Sequence, residues 1–299
     1  MKALVRYRYG GPGVVRVEEV ERPAPEDDRV LVRVHASSIN KADWHQLRGW
    51  PPVMRPMIGG TLRPKDPRFG TDFAGVVEAV GKDVTELAPG DEVFGGRSGA
   101  FAEYVSAINV VKKPPNVTFE EAATMGIAGL TALQGLRDHG KLQPGERVLV
   151  NGASGGVGTL AVQIAKALGA DRVLDYTRED FTGEQERYDL ILDVAGGQSW
   201  SALRRVLEPE GRLVLVGAHG SRSQLRHLAA IRLASFRGKQ TAKFFIAKFN
   251  KPDLQTLADF LESGELKPAI DRTYELTEAE DALRTFGEGH VRGKLVLTM

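Results

Sequence analysis

The stretch RVLVNGASGGVG, Arg147 to Gly158, constrains the fold of this chain more than any other. The run Val148-Leu149-Val150 reads as a short buried strand. A glycine-rich turn follows, and TLAVQIAKAL from Thr159 reads as a helix. Strand, glycine turn and helix form the order that a dinucleotide pyrophosphate needs. Small residues let the backbone approach the phosphates, and the helix N-terminus offers free N–H groups and partial positive charge. In the GxGxxG frame the three positions are Ala153, Gly155 and Gly158, so an alanine replaces the first glycine. The expected cradle is Ala153, Ser154, Gly155, Gly156, Val157 and Gly158.

At 299 residues the chain is long enough for two domains with their own cores. A formal net charge of +1 gives no bias toward nucleic acid, a membrane surface or an acidic partner. Met1 to Arg6 is interrupted by charge at once, and no apolar run is long enough to cross a bilayer, so neither a leader nor a span is expected. Cysteine is absent, which excludes disulfides and thiolate zinc sites and fits a cytoplasmic location.

Residues 1 to about 115 read as β-rich. Valine-bearing alternating runs (Val14–Val20, Val30–His35, Gly75–Ala79, Glu92–Phe94, Ala102–Val105) are separated by Gly/Pro/Asp turns, which predicts a rolled, barrel-like sheet. The Pro/Gly/Arg-rich segment from Trp50 to Gly70 reads as a long surface loop. Thr118-Phe119-Glu120-Glu121 has the spacing of a capping box ahead of a helix. Beyond it strands and helices alternate: strand Arg147–Val150, helix Thr159–Leu168, strands Arg172–Tyr176 and Asp189–Val194, helix Ser199–Leu207 and strand Arg212–Gly217. A basic helical stretch around Leu225–Phe236 comes next, then Ala242–Phe249. That alternation implies an α/β domain with a doubly wound parallel sheet. The tail reads as helix Leu254–Ser263, helix Thr277–Phe286 and a closing strand Lys294–Thr298.

Taken together, VLVRVHASSINKADWHQLRG (30–49), GTDFAGVVEAVG (70–81), LAPGDEVFGG (87–96), GAFAEYV (99–105), GLTALQGL (129–136), the glycine loop and its helix (148–170), DRVLDYTREDF (171–181), YDLILDVAGG (188–197) and GHVRGKLVLTM (289–299) carry a pattern. The chain resembles the zinc-free branch of the medium-chain dehydrogenase/reductase superfamily, the quinone oxidoreductase-like enzymes. The resemblance implies a GroES-like β-rich domain from residues 1–117, completed by the C-terminal part 250–299. A Rossmann-type NADP-binding domain, 118–249, is inserted between them. Zinc-dependent relatives have a cysteine where Asn40 stands and a His-Glu pair where Thr71-Asp72 stands, so no metal is expected. His35 reads as a surface histidine at a strand end.

In the family a second strand and a helix separate the first βα unit from the segment similar to VLDYTRED. Here Ala170 runs directly into Asp171, so about one βα unit, roughly twenty residues, is missing. Residues 171–188 are too few for strand, helix and strand. Five strands are therefore expected where six are usual. The position that reads the adenosine ribose then falls at Thr177-Arg178. No carboxylate stands there to select NADH, so NADPH is the expected cofactor and NADH the alternative.

By resemblance, Asn40 and His45 lie in the catalytic cleft and Thr131 places a hydroxyl near the nicotinamide. Asp43 reads as a cap of the following helix. Ala195-Gly196 and Val216-Gly217, at strand ends, flank the nicotinamide. Lys294 matches a basic residue that approaches the pyrophosphate, with Arg292 as its competitor. The implied activity is zinc-independent hydride transfer from NADPH to a quinone or another α,β-unsaturated carbonyl, a small-molecule substrate, in a homodimer. The alternative is a non-catalytic or impaired shortened relative that binds NADP(H) without turnover.

Overall fold

The computed structural model describes residues 1–52, 55–56, 60–170, 173–175, 187–196, 198–216 and 239–299, without the side chains of 173–175. Thr177, Arg178, Gly217 and the basic helix expected around 225–236 lie outside the described residues. The chain divides into two compact units. The first is Met1–Ala128 with Phe249–Met299, and the second is Gly129–Lys248. The segment Thr118–Ala128, expected with the second domain, belongs to the first unit.

The first unit is built on β-strands. β1 (Lys2–Arg6) pairs antiparallel with β2 (Val15–Glu19). β3 (Val30–Ser38), β4 (Asp72–Val80), β5 (Glu92–Gly96), β6 (Tyr104–Ala107) and β7 (Val110–Lys112) join two C-terminal strands in a seven-stranded sheet. Its axis is β3. One edge of β3 pairs with β4. The other is shared, Val30–Arg33 pairing with β6 and Ala36–Ser38 with the closing strand Lys294–Thr298. Side chains alternate across a strand, so Val30, Val32 and Val34 fall on one face. They pack there with Phe73, Val77, Val93 and Val105. A separate core joins Leu4, Ile39, Leu47, Phe69 and Phe101 to Leu295 and Leu297 of the closing strand.

Helix α1 (Lys41–Arg48) follows β3 at Asn40 and stops at Gly49, which holds φ 57° as a left-handed C-cap needs. α2 (Phe119–Ala123) starts at the expected capping box. The Glu121 amide donates to Thr118 Oγ1 at 3.2 Å, and the Thr118 amide donates to Glu121 at 3.0 Å. In the tail, Lys251–Glu262 is helical, and the helix expected over Thr277–Phe286 is a 3-10 turn (Leu276–Glu278) running into Ala279–Glu288.

The second unit holds a parallel sheet. After α3 (Leu130–Gln134) come β8 (Val148–Asn151), α4 (Gly156–Ala167), β9 (Val173–Asp175), β10 (Tyr188–Asp193), α5 (Trp200–Arg205), β11 (Leu207–Val216) and β12 (Thr241–Phe245). The spatial order is β12-β11-β10-β8-β9, five strands among the described residues. β9 pairs directly with β8, Val148 opposite Val173 and Val150 opposite Asp175. The strand that follows Ala170 thus takes the place beside the first strand. α4 buries Leu160, Ala161, Ile164 and Ala165, a single stripe at helical spacing. β11 starts earlier than Arg212, yet its regular pairing does begin there. Leu207 lies opposite Tyr188 and Arg212 opposite Leu190, so residues 208–211 bulge out of the ladder. The preceding helix accordingly ends at Arg205, short of Leu207. Among the described residues no helix is long and apolar enough to cross a membrane.

Candidate functional site

In the second unit the glycine loop leaves the carboxyl end of β8 where the chain turns one way to β9 and the other to β10. Such a switch point is where open parallel sheets hold ligands. Gly152 carries the turn at φ 99°, a conformation that favours glycine. So the residue before Ala153 does the work expected of the fingerprint's first glycine. Gly158 closes the helix onto the loop: a Cβ there would lie 2.0 Å from Gly152 O. Gly155 differs, because the nearest atom to a Cβ placed there is Gly152 O at 3.7 Å. Its missing side chain therefore leaves space on the open side of the loop. Gly155 is also the N-cap of α4, with no side-chain cap, and no acidic residue stands in the first turn. The first N–H groups of α4 are thus left for an anion. Ala153 is buried and Ser154 exposed, with Gly155, Gly156 and Val157 half-buried. The loop fits a pyrophosphate.

Beside the loop, two buried polar residues terminate apolar strands. Asn151 Nδ2 donates to Asp193 Oδ1 at 2.7 Å, and the Gly196 amide donates to the same oxygen at 2.8 Å. The Ala195 amide donates to Asn151 O at 3.0 Å. Ala195 and Gly196 are therefore held against the loop, where a Cβ on Gly152 would meet Ala195 N at 2.9 Å. Val216 ends β11 and is buried. Thr131 is buried within α3. Asn151 and Asp193 were not picked out from the sequence. The available signal was a polar residue closing an otherwise apolar strand, VLVN and LILD.

In the first unit the residues at the zinc-ligand positions of the resemblance form one buried network. Asp72 is fully buried at the start of β4. Its Oδ2 accepts from Asn40 Nδ2 at 2.8 Å and Ser38 Oγ at 3.1 Å, and its Oδ1 accepts from the Ile127 amide at 2.8 Å. Gly126 makes room, since a Cβ there would lie 2.1 Å from Asp72 Oδ1. Lys294, 4% exposed, donates from Nζ to Asn40 Oδ1 and lies 3.9 Å from Asp72 Oδ2. The second carboxylate is Asp43, also fully buried. Its Oδ2 caps α1 by accepting from the Asn40 amide at 2.8 Å, as expected, and its Oδ1 accepts from Thr71 Oγ1 at 2.7 Å.

Two carboxylates and one ammonium in a dry interior resist charging. Burial and the neighbouring Asp72 push the Asp43 carboxyl up to about 7, against Thr71, Asn40 and Lys294. Burial also raises Asp72, although Lys294, Asn40, Ile127 and Ser38 all favour its charged form. Burial lowers Lys294, against the pull of both aspartates.

Asn40 has no spare amide hydrogen. Nδ2 donates to Asp72 and to Ser38 O at 3.2 Å, and Oδ1 accepts from Lys294. Asn40 and Lys294, expected in different roles, are thus in contact, and the Lys294 ammonium is committed to Asn40 and Asp72. Arg292, its competitor, is exposed. His45 is half-buried in the last turn of α1, and Trp44 beside it packs on Phe286 with ring centres 6.1 Å apart. His35 corrects an expectation. β3 runs on to Ser38, so His35 lies inside the strand, stacked on Phe119 at 4.4 Å, and burial lowers its pKa. Among the described residues no three His, Cys, Asp or Glu side chains gather as a metal site.

The chain matches two families: the alcohol dehydrogenase GroES-like domain over residues 26–116, and the family described as zinc-binding dehydrogenase over residues 168–297. It is 31% identical to the chloroplastic quinone-oxidoreductase QR1 of Triphysaria versicolor, across 99% of this chain and 98% of that protein. It is likewise 31% identical to the 2-methylene-furan-3-one reductase of Solanum lycopersicum, across 99% and 79%. Among solved structures, the quinone oxidoreductase from Coxiella burnetii superposes with a TM-score of 0.83 at 28% identity, across 100% and 99%.

Proposed function

Starting from the family to which the chain belongs, the quinone oxidoreductase-like proteins of the medium-chain dehydrogenase/reductase superfamily, we propose that it reduces a quinone or another α,β-unsaturated carbonyl with NADPH and without a metal. The chain is an NAD(P)H-dependent oxidoreductase. The observation that carries the reading is the glycine loop: Gly152 turning at positive φ, Gly158 without room for a Cβ, and a helix N-terminus left uncapped. Metal independence is supported by the network at the zinc-ligand positions, where an amide (Asn40) and a hydroxyl (Thr71) stand at two of them and the carboxylate at the third (Asp72) is bonded to Asn40 with Lys294 beside it.

When bound, the nicotinamide supplies the hydride. The protein's part is to hold and orient. The amides of Gly156, Val157 and Gly158 would hold the pyrophosphate, and Ala195 and Gly196, fixed by Asn151 and Asp193, would flank the nicotinamide. Thr177 and Arg178 are assigned to the adenosine ribose, with Arg178 favouring a 2′-phosphate, and Val216 and Gly217 are assigned to the nicotinamide. His45 is assigned to donate toward the acceptor oxygen, and Thr131 to place its hydroxyl near the nicotinamide. Asn40 acts from behind, holding Lys294 and Asp72 in place. The enzyme works as a cytoplasmic homodimer.

Mixing the protein with NADPH and a panel of quinones and enones tests this. Acceptor-dependent loss of NADPH absorbance is expected. Tight NADPH binding with no loss for any acceptor would overturn it and favour the second reading, a nucleotide-binding relative without turnover. What supports that second reading is the direct β8–β9 pairing, together with an alignment of 337 positions to QR1 against the 299 residues of this chain. Both fit a domain that lacks one βα unit.

A further inference from the structure

The second unit carries a cationic cavity of about 450 Å³ at the edge where its strands begin. Lys141, Arg212, Lys239 and Lys243 line it, with Glu210 as the one acidic lining residue. In the sheet register Arg212 lies opposite Thr241 and Leu190, and Leu190 lies opposite Val148. Val148 opens β8, whereas the glycine loop leaves its other end. Three residue steps, about 10 Å of sheet, lie between the two places. The cavity is therefore not part of the pyrophosphate cradle.

Three observations indicate a ligand. First, the charges are incompletely answered. Lys239 pairs with Glu210 at 2.8 Å and Arg212 pairs with Glu146, but the ammonium groups of Lys141 and Lys243 have no anionic partner among the described residues. Like charges crowded into a concavity raise a local potential that a bound anion relieves. Second, Arg212 is held rigidly. It donates to Lys141 O at 3.2 Å and pairs with Glu146, so its guanidinium is fixed where it lines the cavity. Third, Lys141 holds φ 51°, the one non-glycine residue at positive φ among the described residues. Such strain gathers at binding sites. Beside it His139 is fixed by stacking on Phe245 at 4.2 Å.

We propose that this cavity binds a compact polyanion bearing two or more phosphate groups, at a site separate from the nicotinamide cofactor. Lys141 and Lys243 supply the charge that no described carboxylate answers, and Arg212 adds a guanidinium fixed in place by Lys141 O and Glu146. The volume suits a di- or triphosphate rather than a single small ion.

Calorimetric titration of the full chain with inorganic tripolyphosphate at low ionic strength tests the site, because its outcome does not depend on turnover. One equivalent is expected to bind, to stay bound when NADPH is present at saturation, and to weaken as salt is raised. The double variant K141E/K243E is expected to bind at least tenfold more weakly with an unchanged unfolding midpoint. K141R/K243R should retain binding, and K82E, in the other unit, should match the parent. Absence of binding, displacement by NADPH, or equal affinity in K141E/K243E would each overturn the proposal.

Discussion

Asp43 and Lys294 decide how the first unit responds to pH and mutation. The Asp43 carboxyl is raised to about 7 from an ordinary 3.8, so between these values the folded state binds more protons than the unfolded one. Stability then falls as pH rises through that window. Its contribution is fully present below about 3.8 and lost above about 7. D43N cannot ionise, so the slope of unfolding free energy against pH across the window should flatten. It also loses one of two acceptor oxygens, at a cost of about 1 kcal/mol as for a lost cap. Denaturant unfolding at several pH values checks both effects, and an unchanged slope in D43N would show that Asp43 does not titrate as described. K294M leaves Asp72 and Asp43 buried without a cation. It should lower stability by about 3–5 kcal/mol, read as a shift in denaturation midpoint. A loss within about 0.5 kcal/mol would mean that the ammonium is not part of the network's balance. Of this only the Asp43 cap was legible in the sequence. Asn40 was expected in the catalytic cleft by resemblance, and Thr71 and Asp72 stood out only as positions lacking zinc ligands. That Asn40 and Asp72 converge on Lys294, 254 positions from Asn40, depends on the closing strand pairing with β3.

At the level of elements, the strand–loop–helix unit from Val148 to Ala167 separates folding from binding within one motif. G158A forces a Cβ against Gly152 O at 2.0 Å, so both stability and NADPH affinity should fall, the latter at least tenfold. G155A meets nothing closer than 3.7 Å within the protein, so its unfolding midpoint should stay near the parent's while affinity falls. Equal affinity in G155A and the parent would place the phosphates elsewhere than this loop. The motif was readable because it is local: an apolar triplet, small residues and helical spacing lie within twenty-five residues, and no distant pairing has to be guessed. Gly152, which makes the turn, lies one position before the first of the frame, and spacing alone does not reveal which residue takes positive φ. The closing strand Lys294–Thr298 and the Thr118 capping box were legible for the same reason. The start of β11 was not, because its bulge is visible only in the register with β10.

On the scale of the whole molecule, the alternation of strands and helices after residue 118 announced a parallel sheet, which holds five strands among the described residues. Which neighbour β9 takes could not be read from the short spacing after Ala170, because pairing partners in a parallel sheet are set by crossovers. A cofactor that binds only the folded chain stabilises it by mass action. NADPH at a hundred times its Kd should therefore add about 2.7 kcal/mol to unfolding. A thermal scan with and without NADPH reads this directly, and an unchanged midpoint would mean that the loop holds no cofactor. The central claim is metal-free reduction by NADPH, and the most direct measurement is the initial rate of NADPH consumption with a quinone or enone acceptor, before and after exhaustive chelation of the purified protein. Acceptor-dependent consumption that chelation leaves unchanged is the predicted result. A rate abolished by chelation and restored by zinc would contradict it.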